Sequence, residues 1–433
     1  MKFRASQIGG APVGPDVEFD GAAIDSRRVH GGELFVPIVA ERNGHDFVEA
    51  ALAAGAVAYL TSQGPLPSGR STAIVVEDTA AALADLGRAA RDRLPERVVG
   101  VTGSVGKTST KDLLGAVVEA QGPSAVSERS FNNELGLPLT LVNAPAGAYV
   151  AVLEMGARGP GHIRRLCEIA RPTVGVVTNV SMSHTEFLGS IEGVAAAKAE
   201  LVEALPDHGT AVLNAGDARV AAMASRTAAS VLTFGVDVGD VRATGVRVDA
   251  ELRPTFALET PWGAAAVTLE ARGAHQAANA AAAAAAALVL GVALDDVVAA
   301  MAVATLSPLR MEVSHSGRGV VVLNDSYNAN PASTEAALRA LAATPVTGRR
   351  YAVLGPMLEL GAQSEAEHRR IAEVARGLGI TVVAVGTAAY GVEPLVDGEE
   401  AAWASLGAGD AVLVKGSRAA GLERFAEYVV ATW

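Results

Sequence analysis

The sequence predicts an α/β protein built as three domains, and three observations carry that prediction. The chain has 433 residues, which at about 150 residues per domain means two to four hydrophobic cores. Short apolar runs alternate with helical runs along most of it, the pattern of parallel sheets covered on both faces. Half of the residues are hydrophobic but only 4% are aromatic, with 46 Gly. That is a globular composition of small side chains, and it excludes disorder, collagen and coiled coil.

The elements follow in order. Residues 1–95 read as a small α/β domain, with a helix over 49–58, a strand over 57–61 and an Ala/Arg/Leu helix over 80–94 that Pro95 ends. Residues 96–308 read as a central parallel-sheet domain. A buried strand at 97–101 leads through a Gly-rich turn into a helix over 106–120. Further strands are expected at 149–153, 174–178, 211–213 and 231–234, with a helix over 191–205. Residues 241–270 break the rhythm and suggest a small antiparallel patch. Residues 309–433 restart the alternation: strands at 320–323, 351–354, 382–385 and 411–414, helices over 331–343, 365–378 and 418–429. This third domain is Rossmann-like, but no G-x-G-x-x-G follows its first strand, so a dinucleotide fingerprint is absent.

Charge and composition restrict the function. Lys plus Arg number 35 against 47 Asp plus Glu, a formal charge of −12, which argues against non-specific nucleic-acid binding. One cysteine, Cys167, allows no intrachain disulfide and no four-Cys zinc site. The start, MKFRASQIGG, lacks the apolar core of a signal peptide. The apolar stretch 277–294 contains Asn279 and eight successive alanines, and reads as a buried helix, not a membrane span. A cytoplasmic protein without a transmembrane segment is expected. Only Lys2, Lys107, Lys111, Lys198 and Lys415 are lysines, so an interior lysine is a choice to be explained.

The strongest chemical signal is Thr102-Gly-Ser-Val-Gly-Lys-Thr108, between a buried strand and a helix. Gly103, Ser104 and Gly106 let backbone N–H groups close around phosphate oxygens, and the helix N-terminus adds partial positive charge. Lys107 reaches terminal phosphates, and the Thr108 hydroxyl suits Mg²⁺. The spacing is the short G-x-x-G-K-T form, with Val101 where the standard loop has its first Gly. Glu154 ends another strand and so faces the crevice at the carboxyl ends of the sheet. His184 lies just past a third strand. Singly, such a Glu or His is more often a surface or capping residue, and Lys198 in Ala-Ala-Ala-Lys-Ala-Glu reads on its own as a solvated helix face. Asn279 reads equally as a core-facing amide.

The shortened phosphate loop, on such a sheet and followed by another α/β domain, resembles the Mur ligase family of ATP-dependent amide-bond synthetases. Asp325-Ser-Tyr-Asn-Ala-Asn-Pro331 is similar to the segment typical of the branch that adds D-alanyl-D-alanine, while the Asp-Asn-Pro-Arg of a sister branch is absent. Asp25-Ser-Arg-Arg-Val29, Gly44-His-Asp-Phe47, Ser130–Pro138, Leu354–Gly361 and Val414–Arg418 resemble family segments as well, so the likeness runs from about residue 21 to 430. Two departures stand out: Pro356 where the family usually has Asp, and Ala157-Arg-Gly-Pro-Gly161 in place of Ala-Asn-x-x-Gly.

The resemblance implies an N-terminal domain that grips a UDP-sugar, with Ser26 and Arg27 in it, a central P-loop ATPase-like domain, and a C-terminal ligase domain. It implies ATP and two Mg²⁺, one held by Thr108 and Glu154, the other by His184 and a Lys198 carbamylated by CO₂. It places Asn279 at adenine, Asp325 at ribose and Arg310 at the phosphate. Asn132, Asn133, Tyr327, Asn328 and Asn330 fall to the substrates, UDP-N-acetylmuramoyl-tripeptide and D-alanyl-D-alanine, and Lys107, Lys198, His184 and Arg310 to catalysis. A monomer with no nucleic-acid partner is expected. The alternatives are a Mur-type ligase with another acceptor, or an ATP-binding homologue without activity.

Overall fold

The structure is a computed structural model that describes residues 1–67, 71–395 and 406–433. Its largest sheet has nine strands, in the spatial order Gly263–Thr268, Pro254–Thr260, Val241–Val248, Ser230–Val236, Thr210–Asn214, Val174–Val177, Val98–Thr102, Val150–Glu154 and Ser124–Val126. The seven from Val241–Val248 onward are parallel, and the first two extend the sheet antiparallel. Val98–Thr102 is buried along its whole length, as expected for a strand covered on both faces. The chain leaves it towards Ser124–Val126 on one side, and later crosses to Val174–Val177 on the other. That reversal opens a crevice at the carboxyl ends of the strands.

The helices Lys107–Gln121 and Gln276–Val289 share one core beneath this sheet. Ala280 to Ala287 are all fully buried; side chains this small let the helix lie close against its neighbours at interior packing density. It has 14 residues, and no helix among the described residues is long and apolar enough to cross a membrane. The other face is covered by Gly136–Val142, His162–Ala170, Ile191–Glu203 and also Thr79–Arg91. Thus the last helix of the first 95 residues belongs to the same core as the central sheet. The buried Arg91 guanidinium ties them further, donating to Ala170 O at 2.6 Å and to Leu94 O at 3.2 Å.

The first region holds a five-stranded sheet of short strands (Ala11–Val13, Thr72–Val75, Ala58–Thr61, Leu34–Phe35, Ala22–Ala23). The C-terminal sheet runs Glu312–His315, Val321–Asn324, Ala411–Lys415, Arg350–Leu354, Ile380–Ala384, antiparallel only at its first pair. Helices Pro331–Ala343 and Ser364–Gly377 cover one face, Glu423–Thr432 the other.

The expected antiparallel patch is present, whereas the final helix needs correction. The antiparallel patch at 241–270 is the edge of the central sheet, and its first strand is continuous through a bulge between Thr244 and Arg247, where Gly245 takes φ +64. Pro254–Thr260 is the middle strand of the patch, with Phe256 and Leu258 inward and Thr255 and Ala257 outward. Pro254 heads the strand, a place where proline is tolerated. The final helix is not continuous from 418: a single turn, Arg418–Ala420, ends at Gly421 (φ +59), and the helix proper is Glu423–Thr432.

Candidate active site

The phosphate loop is shaped by its glycines and braced by the neighbouring strand's exit. Gly106 has φ +81, and a Cβ there would lie 2.4 Å from Asn279 Oδ1; a Cβ on Gly103 would lie 1.8 Å from Thr178 Oγ1. Ser104 N–H donates to Asn179 O at 3.0 Å, and Asn179 pairs with Val105 in both directions at 3.0 and 3.1 Å. The Ser104 hydroxyl donates to Ser181 O at 3.0 Å and receives a bond from the Ser183 hydroxyl at 2.9 Å. Lys107 donates to Gly103 O at 2.8 Å, folding back along its own loop. Burial drives its ammonium below its usual basicity; Glu154 opposes that shift and Arg310 adds to it.

Glu154 ends its strand 1% exposed. Its Oε1 accepts from Asn132 Nδ2 at 2.8 Å, whereas Oε2 is buried with no partner among the described residues. A carboxylate oxygen left so in a polar crevice suits a cation. His184 has φ +54, and its Nδ1, buried and without a hydrogen bond among the described residues, lies against the Glu359 carboxylate. Burial, aided by Lys107, lowers its basicity and favours the neutral imidazole that binds metals. Among the described residues no three His, Cys, Asp or Glu side chains gather to cage an ion. Mg²⁺ held mainly by phosphate oxygens and water needs no such cage.

Lys198 projects from the helix Ile191–Glu203 and is 2% exposed. Burial, then repulsion from Lys107, puts its pKa well below the usual lysine value. The solvated-face reading is therefore wrong: Lys198 is interior, and Glu200 caps the earlier helix His162–Ala170 by accepting from Gly161 N at 2.6 Å and Arg164 N at 3.0 Å.

The C-terminal domain closes the crevice. Arg310 stands between Leu309 and Met311, both at positive φ. It donates to Thr108 Oγ1 at 2.8 Å and stacks over Tyr327 at 4.3 Å. Tyr327 OH meets Ser130 Oγ, from the loop after the phosphate helix. Asn330 caps the helix Pro331–Ala343 by accepting from Ser333 N at 2.9 Å, and its amide reaches Ser104 O at 3.5 Å. The buried Lys415 donates to Asp325 Oδ2 at 2.5 Å and to Asn328 O at 2.9 Å, so it braces that whole loop. Asp325 Oδ1 also accepts from Met311 N at 3.2 Å.

One crevice of about 790 Å³ is lined by Ser104, Gly106, Lys107, Thr108, Asn132, Asn133, Glu154, His184, Asn279, Arg310, Asp325, Tyr327, Asn328 and Asn330. Gly103 and Lys198 are not among its lining residues. Ser26 and Arg27 do not reach it; Arg27 is 84% exposed and paired with Asp25, whose carboxyl it holds down at about 2. The neighbouring Arg28 instead faces the central domain, pairing with Glu128 and stacking on Phe131 at 5.7 Å. Sequence reasoning also missed Asn179, the brace of the phosphate loop, and Glu359, although Glu359 lies in a segment it had singled out. Pro356 lines no part of the crevice, and its carbonyl accepts from Ser417 N at 3.1 Å.

Comparison with known proteins agrees with this geometry. The model of the Mur ligase middle domain matches residues 101–287, and that of the Mur ligase glutamate ligase domain matches residues 309–418. The chain belongs to the Mur ligase family. A Mycobacterium tuberculosis relative named UDP-N-acetylmuramoyl-tripeptide–D-alanyl-D-alanine ligase is 40% identical over 94% of this chain and 91% of its own length. MurF from Acinetobacter baumannii superimposes with a TM-score of 0.85 at 29% identity, covering 96% of this chain and 94% of that one. MurF from Thermotoga maritima, solved with ADP, gives 0.81 at 31% identity over 94% and 96%. As a Mur ligase the chain has its phosphate loop and Asn279 inside the first matched segment, and Arg310, Asp325 and Lys415 inside the second.

Proposed function

We propose that the chain is an ATP-dependent ligase that joins D-alanyl-D-alanine to the C-terminal carboxylate of UDP-N-acetylmuramoyl-tripeptide, a step of peptidoglycan precursor synthesis. The observation that carries this reading is the meeting, in one crevice, of the phosphate loop with the Asp325–Asn330 loop. The names of the relatives agree with it. The tripeptide carboxylate attacks the γ-phosphorus of ATP, giving an acyl phosphate and ADP. The dipeptide amine then adds to the acyl carbon; the tetrahedral adduct expels phosphate, and the amine proton passes to solvent.

The protein's part is positioning and charge neutralisation. Backbone N–H groups of 103–108 cradle the nucleotide phosphates, and Asn279, beside Gly106, faces the base. Lys107 and Arg310 meet the charge that develops on the transferred phosphoryl group. Thr108 and Glu154 would hold one Mg²⁺, and His184 with a carbamylated Lys198 a second; the ions would neutralise phosphate charge. The buried Glu154 Oε2, without a hydrogen-bond partner among the described residues, supports the first of these sites. Burial lowers the basicity of Lys198 and so favours the free amine, whose attack on CO₂ gives a carbamate anion with loss of a proton. Asp325 serves the ribose. Tyr327, Asn328 and Asn330 offer neutral donors and acceptors for the zwitterionic dipeptide, and Asn132 and Asn133 the tripeptide arm. Ser26 and Arg27 remain with the UDP-sugar on the first domain (residues 1–95), apart from the central domain (96–308) and the C-terminal domain (309–433). A monomer and a cytoplasmic reaction, drawing on ATP and a UDP-linked precursor, belong to the same proposal.

Phosphate release tests the assignment. Purified protein with ATP is expected to release phosphate only when both peptide substrates are present. Release with diaminopimelate or glutamate and the matching shorter acceptor would move the chain to a sister branch.

A further inference from the structure

Glu359 belongs to the C-terminal domain, yet its side chain lies in the crevice of the central domain. Its Oε2 is in close contact with His184 Nδ1, a buried nitrogen that makes no hydrogen bond among the described residues, and its Oε1 lies 3.4 Å from Arg158 Nε. Main-chain bonds dock the same segment: Glu186 N–H donates to Glu359 O at 3.2 Å, and the Thr185 hydroxyl donates to Leu360 O at 3.1 Å. Gly361 packs against the Glu186 backbone so closely that a Cβ would stand 3.2 Å from Glu186 Cα. His184 (φ +54) and Glu359 (φ +62) both hold left-handed backbone conformations, which cost a non-glycine residue free energy and persist where surrounding contacts impose them.

An imidazole binds a metal through one nitrogen, and the hydrogen bond made by the other decides which. Resting on the ligase reading above, we propose that Glu359 is a positioning residue for His184: it accepts the Nδ1 proton, leaves the Nε2 lone pair for the metal, and does so only while the C-terminal domain is docked. The central domain supplies the imidazole and the C-terminal domain supplies the carboxylate that orients it. Metal affinity is thereby tied to closure by the same domain that brings Arg310 and the Asp325–Asn330 loop to the nucleotide.

Mn²⁺ is the probe, titrated by electron paramagnetic resonance into the full chain with a non-hydrolysable ATP analogue, so that affinity is read without turnover. Glu359→Ala is expected to weaken Mn²⁺ binding about tenfold or more, the usual effect of removing a partner of a ligating histidine. Glu359→Gln keeps the size and an acceptor oxygen, so it is expected to fold and to lose less. In a His184→Ala background, Glu359→Ala is expected to cost nothing further. Wild-type Mn²⁺ affinity in Glu359→Ala would overturn the proposal, and so would losses that multiply in the double variant. An equal loss of analogue affinity with and without Mn²⁺ would reduce Glu359 to domain docking and overturn it as well. Mn²⁺ binding does not depend on which acceptor is joined, so a failure of the ligase reading shows separately, as missing phosphate release.

Discussion

Lys198 is buried, and among the described residues neither a hydrogen bond nor an ion pair reaches its ammonium. A charge left so is costly, and the cost falls away when the amine is neutral or converted to a metal-bound anion. Lys198→Met is therefore expected to abolish ligation while leaving the fold intact, with activity and circular dichroism as the paired measurements. Protein equilibrated with ¹³C-bicarbonate is expected to show a carbamate carbon resonance that the variant lacks. Gly106→Ala is expected to lose nucleotide binding by calorimetry, because its Cβ would collide with Asn279 Oδ1 at 2.4 Å and its φ is +81. At this scale the phosphate loop was legible because glycine, lysine and threonine act through local spacing. The partnership of His184 with Glu359 was not, because the two segments it joins lie 175 residues apart. Nor was the choice between Arg27 and Arg28: in so short a turn, the docking of the whole domain decides which arginine faces inward.

Among elements, the Ala-rich helix Gln276–Val289 and the loop Leu354–Gly361 carry opposite lessons. The first is packed to contact along every alanine, so Ala283→Leu is expected to cost about 1–3 kcal/mol of stability through overpacking, read as a lower denaturation midpoint. The second is held by a histidine. His368 Nδ1 bonds to Ser364 O at 2.6 Å, and Nε2 accepts from Met357 N at 2.9 Å, so the ring must be neutral. Burial lowers its pKa below 6.5, partly offset by the Ser364 carbonyl and Glu367. Between that lowered value and 6.5 the unfolded chain holds a proton the native chain does not, so stability is complete above 6.5 and falls as the pH drops through the window. His368→Gln is expected to flatten that dependence in denaturation measured from neutral to mildly acidic pH. The alternating strands and helices were legible from hydrophobic period alone. The strand Glu312–His315 was not, since its four residues are half-exposed and form no apolar run.

For the whole molecule, the account requires the C-terminal domain to close on the central one. Among the contacts that mark that closure are Arg310 on Thr108, Tyr327 against Ser130, and Asn330 reaching Ser104. Asn330→Ala removes a helix cap, costing about 1 kcal/mol, and one of these contacts. It is expected to raise KM for the dipeptide more than KM for ATP in steady-state kinetics. The three-domain plan was legible because each domain restarts its own pattern of strands and helices. The sharing of one core by Thr79–Arg91 and the central sheet was not, because an apolar helix face does not name the surface it will cover. The central claim is that ATP activates the tripeptide carboxylate before the dipeptide attacks it. Acceptor labelled with ¹⁸O in that carboxylate tests it most directly, by mass spectrometry of the phosphate released with D-alanyl-D-alanine present. Transfer of a labelled oxygen to phosphate, with formation of the amide product, is the predicted result; amide product accompanied by unlabelled phosphate would contradict the account.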